Sequence, residues 1–237
     1  MTPDVDTVFD EVRELAKIVG VAVDEAVLSR LAPHAATYAE FTVSPHAIEL
    51  IVSDEPRKVC ETARALGTSN PALAAFDACI AALSPRMVGL KVPFPRHGEG
   101  SPTLYVRLLM PLDEGLSFLQ SLVPIDDLRL RLAHNAVLYG LAFMGEPLIV
   151  KTYTLCDDGF ESFRLDARGL RPERKAYRAS ATVEPATGAW GQVVAALRKR
   201  GRLRADHVAT LEVGDSLVEP KLYFERIGAV PTDWSAR

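Results

Sequence analysis

The sequence predicts an α+β fold in which pairs of antiparallel strands alternate with pairs of helices. Strand-like and helix-like runs recur as a ββαα unit with a period of roughly 45–55 residues, without obvious sequence identity between copies. Most strand-like runs are apolar on one face and polar on the other, the signature of an antiparallel sheet covered on one side. The 237 residues, 48% hydrophobic and 24% charged, suit a single domain spanning 1–237 with a substantial core.

Asp6 to Ile18 shows helical spacing, with Gly20 as its stop, and "DEAVLSRLA" reads as a second short helix. "ATYAEFTV" and "HAIELIVS" form the first strand pair across a turn at Ser44-Pro45. "DEPRKVCETARALG" and "NPALAAFDACIAALS" follow as helices, each with proline near its first turn. "RMVGLKVPF" and "PTLYVRLLMP" are the second pair, then "DEGLSFLQSL" and "PIDDLRLRLAHNAVLYG" read as helices. "LAFMG" and "PLIVKTYTL" make the third pair. Between Cys156 and Arg174 no helix pair is visible, so the fourth unit is shortened. With "FRLDARG" as a short partner to "KAYRASATVEP", the helix "AWGQVVAALRKRG", and a final pair "HVATLEVG" and "EPKLYFERIG", the total comes to about ten strands in five pairs.

Several function classes fall away. A net charge of −4 gives no global field for nucleic acid or anionic membrane, so any anion site must be local. No run reaches the roughly 18 apolar residues of a membrane span, and the acidic N-terminal segment lacks a secretory apolar core. Cys60, Cys79 and Cys156 show neither metal-ligand spacing nor a paired framework, which fits small buried residues in a cytoplasmic protein. No GxGxxG, P-loop, GxSxG or HExxH occurs. Asp157 and Asp158 fall in a glycine-containing turn without the helical i, i+4 spacing that bridges Mg²⁺, so no metal site is expected there. "RKRGRLR" reads as a solvated helix end.

Chemistry shows in the polar strand faces. "VKTYTL" and "PKLYFER" each put lysine and tyrosine on one face, because strand side chains alternate with period two. In the second unit Tyr105 and Arg107 oppose Leu104, Val106 and Leu108, and Lys91 opposes Leu90 and Val92. "YRASATV" reads with Ala179, Ala181 and Val183 opposite Arg178. The polar face can meet water on an open sheet or line the interior of a closed barrel with helices outside. If it lines a barrel, Lys91, Arg107, Lys151, Arg178 and Lys221 converge on a polyanion, ammonium as point charge and guanidinium as bidentate fork. Tyr105, Tyr153 and Tyr223 add phenol donors and ring faces that shield a cation. Diphosphate beside a carbocation matches that combination.

These repeats and Lys-x-Tyr strands resemble the ABBA aromatic prenyltransferases (the PT barrel) over most of the chain. The opening "ELAKIVGVAVDEAVLSRL" is similar to the bacterial phenol/phenazine branch. The resemblance implies a closed ten-stranded antiparallel barrel of ββαα units with helices outside. It also implies transfer of an allylic group from a prenyl diphosphate to an aromatic small molecule, as part of secondary metabolism. Lys151 and Tyr153 match the family's mid-barrel strand, Lys221 and Tyr223 its last strand, and Arg178 the basic residue of the fourth unit. The second unit has Tyr105 and Arg107 where the family shows Lys-x-Tyr, and the chain is shorter than usual. Glu49, opposite Ile48 and Leu50, is the expected proton acceptor; its other reading is an ion pair with a lysine of the same face. No cofactor is obligatory, Mg²⁺ is allowed, and a monomer is expected. The competing function is a non-catalytic protein that binds an acidic or lipidic small molecule.

Overall fold

The computed structural model describes residues 5–35, 37–44, 46–98, 100–122, 137–156, 159–166, 169–179, 204–213 and 216–225. In chain order the described elements are α1 (Val5–Val19), α2 (Glu25–Ala35), β1 (Ala39–Val43), β2 (Ala47–Asp54), α3 (Pro56–Ala65) and α4 (Asn70–Leu83). Then come β3 (Val88–Pro95), β4 (Thr103–Pro111), α5 (Leu112–Leu122), β5 (Val137–Met144) and β6 (Ile149–Cys156). The last four are β7 (Gly159–Asp166), β8 (Gly169–Ala179), β9 (Arg204–Val213) and β10 (Ser216–Glu225). Every strand pairs antiparallel with its sequence neighbour, and β1 also pairs with β10, so the order β1-β10-β9-β8-β7-β6-β5-β4-β3-β2 returns on itself.

The alternation read from the sequence sets which face the helices cover. Phe41, Val43, Ile48, Leu50, Val52, Leu90, Val92 and Phe94 share the outer face of β1–β3 and are buried. Helices α1 and α2 lie on β2, α3 on β3, and α4 on β4 and β5, where Phe76 meets Phe143 edge-on with ring centroids 5.9 Å apart. In α1, Val8, Val12, Leu15 and Val19 recur at the three- and four-residue spacing of one helical stripe and are buried. Gly20, at φ 76, ends that helix as its sequence position predicts.

Helix ends are tied to strands by specific polar contacts. The Ser69 hydroxyl caps α4, accepting from Ala72 N, and donates to the carbonyl of Gly145 at 2.6 Å in the turn between β5 and β6. Buried His34 on α2 puts Nδ1 3.0 Å from Asp54 Oδ2 at the end of β2 and Nε2 2.8 Å from Thr62 Oγ1 on α3. Burial opposes charge on Asp54, but the Glu55 N–H, His34 and Lys58 outweigh it and hold the carboxyl below its ordinary range. An ionised Asp54 only accepts, so His34 carries its proton on Nδ1. Cys60 and Cys79 are buried free thiols, each pushed up to about 12 by burial.

Two sequence expectations change. "VLYG", placed at the end of a helix, is the first half of β5, because Val137 pairs with Pro111 and Leu155 and the ladder overrides the helical pattern. The fourth unit is short, as the sequence predicts: β7 and β8 form a hairpin directly after β6, without a helix pair before them. Register also moves Arg178, which aligns through Val208 and Leu222 with Val43, a buried member of the outer row. A one-residue shift in phase reverses every face of a strand. The helix expected at "AWGQVVAALRKRG", the acidic turn at 157–158 and the 124–136 part of the earlier helix lie outside the described residues.

Candidate functional site

The inner face gathers its polar side chains where β1 to β6 run side by side. Glu49 on β2 stands opposite Thr42 on β1 and diagonal to Lys91, which stands opposite Ile51. Lys91 Nζ lies 3.3 Å from Glu49 Oε1, and the Thr42 hydroxyl donates to Glu49 Oε2 at 2.8 Å. Both carboxylate oxygens are therefore engaged. The pair is 16% and 12% exposed, enclosed enough that its attraction is screened far less than at an open surface. The ion pair foreseen for Glu49 is present, and its partner is Lys91.

Aromatic groups adjoin this pair. Lys91 Nζ is 5.7 Å from the centroid of the Tyr105 ring, within cation–π range. The Tyr105 and Tyr153 rings lie 6.1 Å apart, tilted by 35°. Tyr153 keeps some accessible surface, but protein crowds its phenol. That desolvation, reinforced by Tyr105 and only partly offset by Lys91, raises its pKa well above the ordinary phenol value. Tyr153 is a neutral donor at any physiological pH.

Tyr105 and Tyr153 sit on β4 and β6, two strands apart, yet their rings meet across β5. They can because β5 carries almost no side chain between them: Gly140 pairs with both Arg107 and Tyr153, and Ala142 with both Tyr105 and Lys151. A Cβ on Gly140 would sit 3.2 Å from the Val106 carbonyl oxygen and 3.9 Å from Tyr153 Cδ2. One on Gly89 would sit 3.2 Å from Tyr105 Cβ. Sequence reasoning passed over Thr42, Gly89, Gly140 and Ala142; a glycine inside a strand is the signal that marks such close approach.

Of the remaining expected residues, Arg107 is exposed and Lys151 half-buried, one row apart on the inner face. Tyr223 aligns with Thr42 and His207, and Lys221 with Ala209, in the rows that lead to Glu49. Arg178 does not join them; its neighbours Tyr177 and Ala179, like Glu173 and Lys175, take inner-row positions of β8. Among the described residues no group of three or more His, Cys, Asp or Glu comes together to hold a metal. Among them also, no helix is long and apolar enough to cross a membrane.

This ring of antiparallel strands with helices outside matches solved structures. 6-Dimethylallyltryptophan synthase from Micromonospora olivasterospora, in complex with DMASPP and Trp, aligns with TM-score 0.59 at 11% identity, over 89% of this chain and 94% of that one. 5-Dimethylallyltryptophan synthase from Streptomyces coelicolor aligns with TM-score 0.54 at 13% identity, over 95% of this chain and 96% of that one. The chain shares their fold. Both are ABBA-type aromatic prenyltransferases. No protein-family model and no curated protein sequence matches the chain.

Proposed function

We propose that the protein is a PT-barrel aromatic prenyltransferase that moves an allylic group from a prenyl diphosphate to an aromatic small molecule. One observation carries the reading: an enclosed Glu49–Lys91 ion pair adjoins two facing tyrosines inside a sheet whose fold is that of two dimethylallyltryptophan synthases. In the reaction the bond between the allylic carbon and the diphosphate oxygen breaks, and its electron pair leaves with diphosphate. The cation left behind is taken by a π pair of the acceptor ring, and the ring then gives up a proton.

The side chains divide those tasks. Tyr105 and Tyr153 present ring faces to the allylic cation, which attract positive charge without capturing it. Arg107, Lys151, Lys221 and Tyr223 are the remaining candidates for the departing diphosphate, whose charge grows in the transition state. Glu49 accepts the acceptor's proton, oriented by Thr42 and charge-balanced by Lys91. Lys91 thereby serves the carboxylate more than the phosphate. The acceptor is an electron-rich ring, indole or phenol, and the chain works as a single cytoplasmic domain that tolerates Mg²⁺ without requiring it.

Mass spectrometry of reactions pairing dimethylallyl or geranyl diphosphate with tryptophan, simple phenols and phenazines tests this. A prenylated product is expected from the wild type. Glu49→Gln should lower its turnover by about 10²–10⁴-fold with diphosphate affinity little changed. Diphosphate binding without product from any acceptor would favour the non-catalytic binding protein, and a fully active Glu49→Gln would make Glu49 structural.

A further inference from the structure

One buried hydroxyl on the inner face has no role in the site as described so far. Ser53 lies near the end of β2, four residues beyond Glu49 and on the same face, because strand side chains alternate with period two. It is 2% exposed. Its backbone N–H bonds to the Tyr38 carbonyl, but among the described residues its hydroxyl has no hydrogen-bond partner. Buried hydroxyls are normally paired, and an unpaired one on a ligand-facing surface is placed to take its partner from the ligand. The hydroxyls of Thr68 and Thr152 are also buried and unpaired, but Thr68 lies between α3 and α4, and Thr152 aligns with Leu141 in the outer row. Ser53 instead borders a gap. It aligns with Gly89 on β3, and Gly89 aligns with Tyr105 on β4. A Cβ on Gly89 would stand 3.6 Å from Ser53 Oγ and 3.2 Å from Tyr105 Cβ, so the hydroxyl faces the notch that the missing side chain leaves, with Tyr105 on its far side.

We propose that Ser53 is a specificity-determining residue for the aromatic acceptor. Its hydroxyl, at the Gly89 notch, takes a second hydrogen-bonding group of the acceptor, on the edge opposite the one held at Glu49. The proposal deepens the prenyltransferase reading, on which it rests, by naming the acceptor class. Glu49 and Ser53 stand four residues apart, roughly 13 Å along the strand, so a molecule that reaches both is a flat aromatic with polar groups on opposite edges. Ser53 and Gly89 carry no charge, and Lys91, in the row between Glu49 and Ser53, is held by Glu49, so the second group is neutral. A serine hydroxyl both donates and accepts, which suits a phenol. Tyr105 then sets that edge of the acceptor beside the ring face proposed to meet the allylic cation.

Equilibrium dialysis of the full chain with 4,4′-dihydroxybiphenyl and with 4-phenylphenol tests it, since the two share a skeleton and differ by one terminal hydroxyl. The wild type should bind the diol roughly three- to tenfold more tightly than the mono-ol, the worth of one neutral hydrogen bond. Ser53→Ala should erase that ratio, and Ser53→Thr, which keeps the hydroxyl, should retain most of it. Gly89→Ala fills the notch with a methyl group and should erase the ratio again, which decides the matter if Ser53→Ala does not fold. Thr68→Val is the control, because it removes an unpaired buried hydroxyl outside the sheet, and the ratio should persist in it. A wild type with no preference, or one that binds neither ligand, would overturn the proposal. So would a Ser53→Ala variant in which both affinities fall together and the ratio survives, since that makes Ser53 structural. A Ser53→Ala variant that loses affinity for inorganic diphosphate but keeps the ratio would assign the hydroxyl to the leaving group and overturn it as well. Product formation with dimethylallyl diphosphate is scored separately. A wild type that prefers the diol through Ser53 but prenylates neither ligand sinks the transferase reading and keeps the subsite; one that prenylates both without preference does the reverse.

Discussion

Tyr153 shows how one side chain reports its surroundings. Its folded-state phenol holds its proton well beyond the ordinary range, chiefly through desolvation, whereas in the unfolded chain the same group releases it at about pH 10. Above that pH the unfolded state binds fewer protons than the folded one, so stability falls as pH rises. Tyr153→Phe removes the ionisable group and should flatten the alkaline limb of a melting-temperature profile between roughly pH 9 and 11, where the wild type declines. Parallel declines in both proteins would show that another group controls alkaline unfolding. At this scale the sequence was legible for charged and phenolic groups, since alternation alone put Glu49, Lys91, Tyr105 and Tyr153 on one face. An ion pair for Glu49 was foreseen on that face, but not which lysine makes it. That Lys91 meets Glu49 rather than a ligand depends on a diagonal across β2 and β3, which no local pattern encodes. Arg178 was misplaced for a simpler reason: in "YRASATV" either phase gives a plausible small, half-polar face, so only the ladder to β9 decides.

Between elements, the His34–Asp54–Thr62 contacts bind α2, the end of β2 and α3 at a point where all three would otherwise present unsatisfied polar groups. Asp54 has a lowered folded-state pKa, so its stabilisation is complete above the unfolded value of about 3.9 and is lost as pH falls through the folded one. Asp54→Asn should cost about 1–3 kcal/mol at neutral pH, read by chemical denaturation, because hydrogen bonds to a charged group are replaced by neutral ones. The gap between variant and wild type should close under acid conditions below the folded pKa. A variant as stable as wild type at pH 7 would show these contacts to be energetically silent. The elements themselves were mostly written locally. Amphipathic stripes and stop signals such as Gly20 place α1 to α4, and alternation places the strands. The exception, "VLYG", is apolar on every residue but glycine, so periodicity could not tell a helix end from a strand flanked on both sides by partners.

Across the whole molecule, closure rests on the ladder between β1 and β10, where Phe41 aligns with Phe224 and Thr42 with Tyr223. Ending the chain at Val213 removes β10 and exposes two unpaired edges, on β1 and β9. Such a variant should aggregate or lose protection of the β1 and β2 amides, as size-exclusion chromatography and hydrogen exchange would show. A soluble monomer with protected β1 amides would mean that closure contributes little. The same ladder has a consequence for how the protein is made. Synthesis at about 5–20 residues per second leaves β1 waiting on the order of ten to forty seconds for its partner to leave the ribosome. For that interval the newborn chain carries the half-finished edge of a sheet. The helices α1 and α2 ahead of it can already shelter its apolar face, but nothing the ribosome has yet made can satisfy its outermost backbone groups. Nascent chains stalled just short of β10 are thus the species on which a ribosome-associated chaperone would leave its strongest footprint.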